Sequence, residues 1–192
     1  MAIRTKLSRA LTEEEVAALS HYGADSSYLH AVAQGRTSDF QHDPGYKQFW
    51  PTCGSIVRAL DAAINSSTLL EAATLHAAHG NGFGVRGALV GNPSAFVGMV
   101  YQYPGYISTS AEIDFRDRFL GPRRNAASRP TVLEFRLPTG FNAIDMHHGG
   151  HSGEFEFLLG RCTAFRITSS EIVDTDVLSL VLEPPRLHQD QR

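Results

Sequence analysis

The stretch His151–Phe165, HSGEFEFLLGRCTAF, decides how the second half of the chain is read. Side chains alternate across a strand, so Glu154 and Glu156 share one face while Phe155 and Phe157 share the other. The phenylalanines and the following Leu158 and Leu159 call for a core on their side. The two glutamates face either water or a cleft. A wet face is the ordinary reading of such a strand. Two close carboxylates repel, however, and keep their charge only beside a cation or a hydroxyl donor. A carboxylate pair is also what enzymes use to stabilise a sugar cation.

Working outward, strands are expected throughout the second half: FGVRGALV, GYISTS, TVLEFRLP, NAIDM, EFEFLLG, TAFRITSSEIV and DVLSLVLE, punctuated by Gly and Pro. A short helix, AEIDFRDRFL, is expected after the serines of GYISTS. The first half reads helical. In ALTEEEVAALSHY, Thr12 is the expected N-cap, Glu15 completes a capping box, and Leu11 and Val16 stand where a hydrophobic staple would place them. SSYLHAVAQG is a second helix ended by Gly35, RTSDFQHDPGYKQFWP a loop, and CGSIVRALDAAINSS a third helix with Ile56, Leu60 and Ile64 on one face. Helices first and strands later predict an α+β fold, not alternating βαβ units.

The chain has 192 residues, 42% of them hydrophobic, which suits one domain with a core over about residues 11–183 and frayed termini. A formal net charge of −3 gives no electrostatic reason for a nucleic-acid partner. The local cluster FRDRFLGPRRNAASR reads first as a solvated loop. No apolar run reaches membrane-spanning length, and MAIRTKLSRALTEEE lacks the apolar core of a secretory signal. The two cysteines, Cys53 and Cys162, have neither metal nor disulfide-framework spacing and are expected as separate buried thiols. His147, His148 and His151 lie on a glycine loop with no fourth ligand in view, so no metal is expected.

Two more motifs carry possible chemistry. Arg86 in GVRG either snorkels from an edge strand or aims a rigid guanidinium at phosphate or carboxylate. Ser108, Thr109 and Ser110 sit at a strand-to-helix junction, where one of them caps the next helix and the others remain free to orient a carboxylate.

In this order, Arg86 in GVRG, Ser108-Thr109-Ser110 in GYISTS and Glu154-x-Glu156 in GEFEFLL resemble the R-S-E pattern of arginine-modifying mono-ADP-ribosyltransferases. The helical opening, the helix IVRALDAAI and the strand pair LLGRCTAFRI are similar to the flanks of bacterial members, so the resemblance spans roughly residues 11–182. It implies two packed, mainly antiparallel sheets with an NAD cleft between them, NAD as substrate, a monomer, and a host protein with an acceptor arginine as partner. It further implies a toxin or effector secreted or translocated into a host cell.

By the same resemblance, Arg86 with Gly87, Thr109 and Ser110 would serve NAD, and Arg123 and Arg124 would lie on a loop touching its phosphates. Ser108 would fix Glu156, and Glu156 would bond the nicotinamide ribose and stabilise the oxocarbenium ion. Glu154 would serve the acceptor, since a guanidinium with a pKa above about 12 is no nucleophile until a base orients or deprotonates it. His151 and Phe155 belong to the substrate-reading loop DMHHGGHSG and the strand it enters, although relatives often carry an aromatic where His151 stands. The glycines at 82 and 84 also depart from the usual approach to the arginine strand. These departures keep a second reading open: a degenerate relative that binds NAD poorly and acts by binding a partner protein. A glycosidase built on Glu154 and Glu156 ranks last. Their Cα atoms would lie about 7 Å apart, a spacing compatible with work on a sugar, but GVRG and STS would then have no role.

Overall fold

The computed structural model describes residues 3–24, 26–35, 44–79, 92–112, 131–150, 156–173 and 177–185. In chain order the elements are β1 (Thr5–Leu7), α1 (Glu13–Ala24), α2 (Ser27–Ala33), α3 (Pro44–Asn65), β2 (Ser67–Leu69), β3 (Ala73–His79), β4 (Val100–Gln102), β5 (Ile107–Ser110), β6 (Thr131–Leu137), β7 (Ala143–Asp145), β8 (Glu156–Leu159), β9 (Ala164–Val173) and β10 (Val177–Glu183). The fold is α+β: a short strand, then three helices, then mostly strands. The expected strand FGVRGALV and nearly all of the helix AEIDFRDRFL lie outside the described residues.

Contacts gather in two compact units. The first comprises Met1–Ala72, Tyr103–Thr109 and Pro138–Thr163. Its helix α1 starts as the sequence demands. The Thr12 N–H donates to the Glu15 carboxylate at 2.8 Å, and the Glu15 N–H donates to Thr12 Oγ1 at 3.2 Å. This reciprocal box satisfies two of the donors that a helix start leaves over. Val16 stays 39% exposed, while Leu11 packs on the core. The buried face of α1 runs Glu15, Ala18, Leu19, Tyr22, one helical stripe. It packs with Leu29 of α2, with Val57, Leu60, Ala63 and Ile64 of α3, and with Tyr106, Ile144, Met146 and Leu158. Gly35 ends α2 region with φ +70, as expected of a glycine stop.

Helix α3 corrects the expected loop: it starts at Pro44 and carries Pro51 inside. A proline suits the first helical position, where its missing N–H costs nothing. Pro51 removes one bond of the ladder, and the long buried face beyond it outweighs that loss. The unit also holds the antiparallel pair β1–β2, with Lys6 opposite Thr68, and the strand order β5-β8-β7, with Ile144 opposite Leu158.

The second unit comprises Ala73–Gln102, Ser110–Leu137 and Ala164–Arg192. Its strand order is β4-β9-β10-β6-β3, and His76 of β3 pairs with Ser110. Pairing is antiparallel except between β10 and β6, where Leu180 lies beside Leu133. Leu133, Phe135 and Leu137 on β6, and Leu178, Leu180 and Leu182 on β10, keep the two-residue period of buried side chains. Phe135 meets Phe165 edge to face at 4.9 Å.

The cysteines are both free, and only Cys53 is buried. Cys162, expected inside, is exposed: it sits in the tight turn after β8 with φ +57.

Candidate active site

Strand β5, which carries Ser108 and Thr109, is the hydrogen-bonded neighbour of β8, which Glu156 opens, within the first unit. Alternation divides the hydroxyls. Thr109 is buried, and its Oγ1 donates to the Phe157 carbonyl at 2.7 Å, which pins β5 to β8 at the level of the glutamate. Ser108 points the other way, toward the helices, where its Oγ meets the Tyr22 hydroxyl of α1 at 3.0 Å. That hydroxyl also lies 2.9 Å from Nε2 of His30 on α2.

Glu156 opens β8 half-buried, and its charge reaches the same tyrosine. Burial first, and then the negative charge of Glu156, push the Tyr22 phenol well above its ordinary range, against an opposing effect of the Ser108 hydrogen bond. Tyr22 is therefore a neutral phenol with one proton to donate at physiological pH. Ser108, Glu156, Tyr22 and His30 form one neighbourhood built from two strands and two helices. Ser110 ends β5, and its Oγ accepts the Glu112 N–H at 3.1 Å, the local bond of a residue that turns the chain out of a strand.

The loop before Glu156 begins with a 3-10 turn over Met146–Gly149, started by the Asp145 carboxylate accepting the His147 N–H at 2.9 Å. Gly149 packs directly on α1: a Cβ there would stand 2.8 Å from both Leu19 Cβ and the Ser20 nitrogen. Gly150 follows at φ +85, a conformation glycine adopts without strain. His147 and His148 are exposed. Among the described residues no group of three or more His, Cys, Asp or Glu is placed to hold a metal ion. No helix of the described residues is long and apolar enough to cross a membrane.

Arg86, Gly87, Arg123, Arg124, His151, Glu154 and Phe155 lie outside the described residues. Tyr22 and His30 were not legible as site residues. The one available signal was a tyrosine on the buried stripe of an amphipathic helix, since a buried phenol needs a polar partner.

A groove of about 730 Å³ lies elsewhere in the first unit, lined by Asp61, Phe141, Asn142, Arg161 and Cys162 among others. It opens beyond Leu159, at the opposite end of β8 from Glu156. There Arg161 forks onto Asp61, with Nη2 to Oδ2 at 2.8 Å, and Tyr106 donates to Asp61 at 2.9 Å. This polar cluster ties the turn after β8 to α3 and is remote from the glutamate.

Over residues 2–188 the chain matches the family model of ADP-ribosyltransferase exoenzymes. No curated protein matches it. Among solved structures it is similar to the ADP-ribosyltransferase Vis, a toxin of Vibrio splendidus, solved in complex with agmatine: 20% identity, TM-score 0.67, covering 93% of this chain and 77% of that one. It is similar to Plx2a, an ADP-ribosyltransferase toxin from Paenibacillus larvae, at 22% identity and TM-score 0.63, covering 90% and 85%. It is likewise similar to C3stau2 from S. aureus, solved with NAD, at 17% identity and TM-score 0.62, covering 90% and 86%. At these identities the structural likenesses establish the fold alone.

Proposed function

Because the chain belongs to the ADP-ribosyltransferase exoenzyme family, we propose that it moves ADP-ribose from NAD to an arginine side chain of a target protein, and that it does so as a toxin or effector delivered into a host cell. The observation that supports this reading is that Ser108 and Glu156 lie on neighbouring strands, β5 and β8, joined by the Thr109 hydroxyl on the Phe157 carbonyl, with a buried tyrosine on the Ser108 hydroxyl.

On this reading the nicotinamide–ribose C–N bond breaks with its electron pair leaving on nicotinamide. Positive charge develops at the anomeric carbon. A carboxylate already fixed beside it stabilises that charge without reorganising, which is where an enclosed site gains most. Glu156 is that carboxylate, Ser108 orients it, and Thr109 and Ser110 hold the frame. A guanidinium nitrogen of the acceptor then bonds the same carbon, and Glu154, two residues before Glu156 in sequence, accepts the proton released. Arg86, with Gly87 allowing close approach, holds NAD through its phosphates, and Arg123 and Arg124 add positive charge on that side. His151, three residues before Glu154, and Phe155, next to it in sequence, belong to the segment that reads the acceptor.

The arginine acceptor is favoured by the acid at position 154. It is also favoured by agmatine in the Vis complex, since agmatine presents a guanidinium. The test is transfer of labelled ADP-ribose from NAD to an arginine acceptor such as agmatine, together with NAD hydrolysis. Glu154→Gln should lose transfer while keeping NAD hydrolysis. Equal loss of both would remove Glu154 from the acceptor role, and flat calorimetry at millimolar NAD would replace turnover with partner binding.

A further inference from the structure

We propose that Tyr22, held by His30, is a positioning residue that sets the direction of the Ser108 hydroxyl proton and thereby the placement of Glu156. The inference rests on the transferase reading for its kinetics, but not for its chemistry.

The Tyr22 hydroxyl has one proton and sits between two partners, His30 Nε2 at 2.9 Å and Ser108 Oγ at 3.0 Å. Two proton arrangements satisfy it. In one, His30 Nε2 donates to Tyr22 and Tyr22 donates to Ser108, which leaves the serine proton for a third group. In the other, Tyr22 donates to His30 and the serine proton is spent on Tyr22. Only the first lets Ser108 donate to a carboxylate on the neighbouring strand. The tautomer with the proton on Nε2 therefore sends the Ser108 proton toward β8, where Glu156 lies.

The tyrosine is well placed for this work. It is 2% exposed, so water does not compete for its hydroxyl. Its ring is fixed edge-on against Tyr106, with centroids 5.8 Å apart, and tilted against His30 at 5.5 Å. The same helix seats the loop that leads into β8, through the close approach of Gly149 to Leu19 and Ser20. Helix α1 thus touches both Ser108 of β5 and Gly149 of the 3-10 turn. A buried tyrosine serving only as filler would need one partner at its hydroxyl, not a chain that ends on Ser108.

The experiment compares wild type, Tyr22→Phe, Ser108→Ala and the double variant, with His30→Gln and His30→Leu alongside. Phenylalanine keeps the ring packing. Tyr22→Phe should lower kcat for NAD hydrolysis about tenfold, with KM for NAD changed by less than about twofold, as expected for lost orientation. The double variant should be no slower than Ser108→Ala alone. His30→Gln, which keeps a donor, should retain more turnover than His30→Leu. Independently of activity, the carbon-13 resonance of the Glu156 carboxyl should shift in Tyr22→Phe in the direction it shifts in Ser108→Ala. Wild-type kcat in a folded Tyr22→Phe, or losses that multiply in the double variant, would overturn the proposal, as would an unmoved Glu156 resonance. Absent turnover in wild type would sink the transferase reading, and the resonance would still decide the positioning role.

Discussion

Glu156 is half-buried at the start of β8, and on the neighbouring strand the Ser108 hydroxyl meets that of Tyr22. Glu156→Gln keeps the shape and removes the charge. Transfer and hydrolysis should both fall by at least about a hundredfold, the scale on which one electrostatic partner of a transition state acts. Ser108→Ala should lower turnover more than NAD affinity, whereas Arg86→Ala should chiefly weaken NAD binding, and calorimetry beside steady-state kinetics separates the two. A second carboxylate gives a prediction about stability. Arg9 forks onto buried Glu15, and that hydrogen bond first, with help from the capping bonds to Thr12, lowers the Glu15 pKa from 4.5 to about 2 against the cost of burial. A depressed folded-state pKa stabilises the protein fully above pH 4.5 and loses that contribution as the pH falls toward 2. Acid titration of unfolding should show this loss in wild type, and Glu15→Gln should flatten it between those pH values.

At the scale of elements, sequence patterns were read well where local chemistry and packing agree. Thr12 and Glu15 place the start of α1, Gly35 the stop after α2, and the alternation of Leu178, Leu180 and Leu182 the strand β10. The reading failed where tertiary contacts override local preference. Strand β3, ATLHAAH, has poor strand formers, yet Leu75, Ala77 and Ala78 are buried and the backbone pairs with β6 along its length. The start of α3 was hidden by Asp43-Pro44-Gly45, which carries turn residues that serve equally well at a helix entry. Thr12→Ala should cost about 1 kcal/mol by removing the cap, measurable as a shifted denaturation midpoint with an unchanged slope. Gly149→Ala brings a methyl within 2.8 Å of α1 backbone, and should destabilise by about 1–3 kcal/mol. If the 3-10 turn over Met146–Gly149 helps to position the site, activity at saturating NAD should fall as well in the folded fraction. Asp61→Ala breaks the fork from Arg161 and one bond from Tyr106 at the far end of β8. It should lower the melting temperature while leaving kcat unchanged.

At the scale of the molecule, the family was legible because three short motifs stood in order with matching flanks, and the family match over residues 2–188 agrees with that reading. What stayed illegible is the set of contacts between segments distant in sequence. Tyr22 and Ser108 are 86 residues apart, and no local pattern couples them. The most direct measurement is transfer of labelled ADP-ribose from NAD to agmatine by wild type and by Glu156→Gln, with both variants shown folded. Label on agmatine from wild type, reduced at least about a hundredfold in Glu156→Gln, is the expected result. Transfer that survives the substitution, or wild-type protein that neither binds nor cleaves NAD, would contradict it.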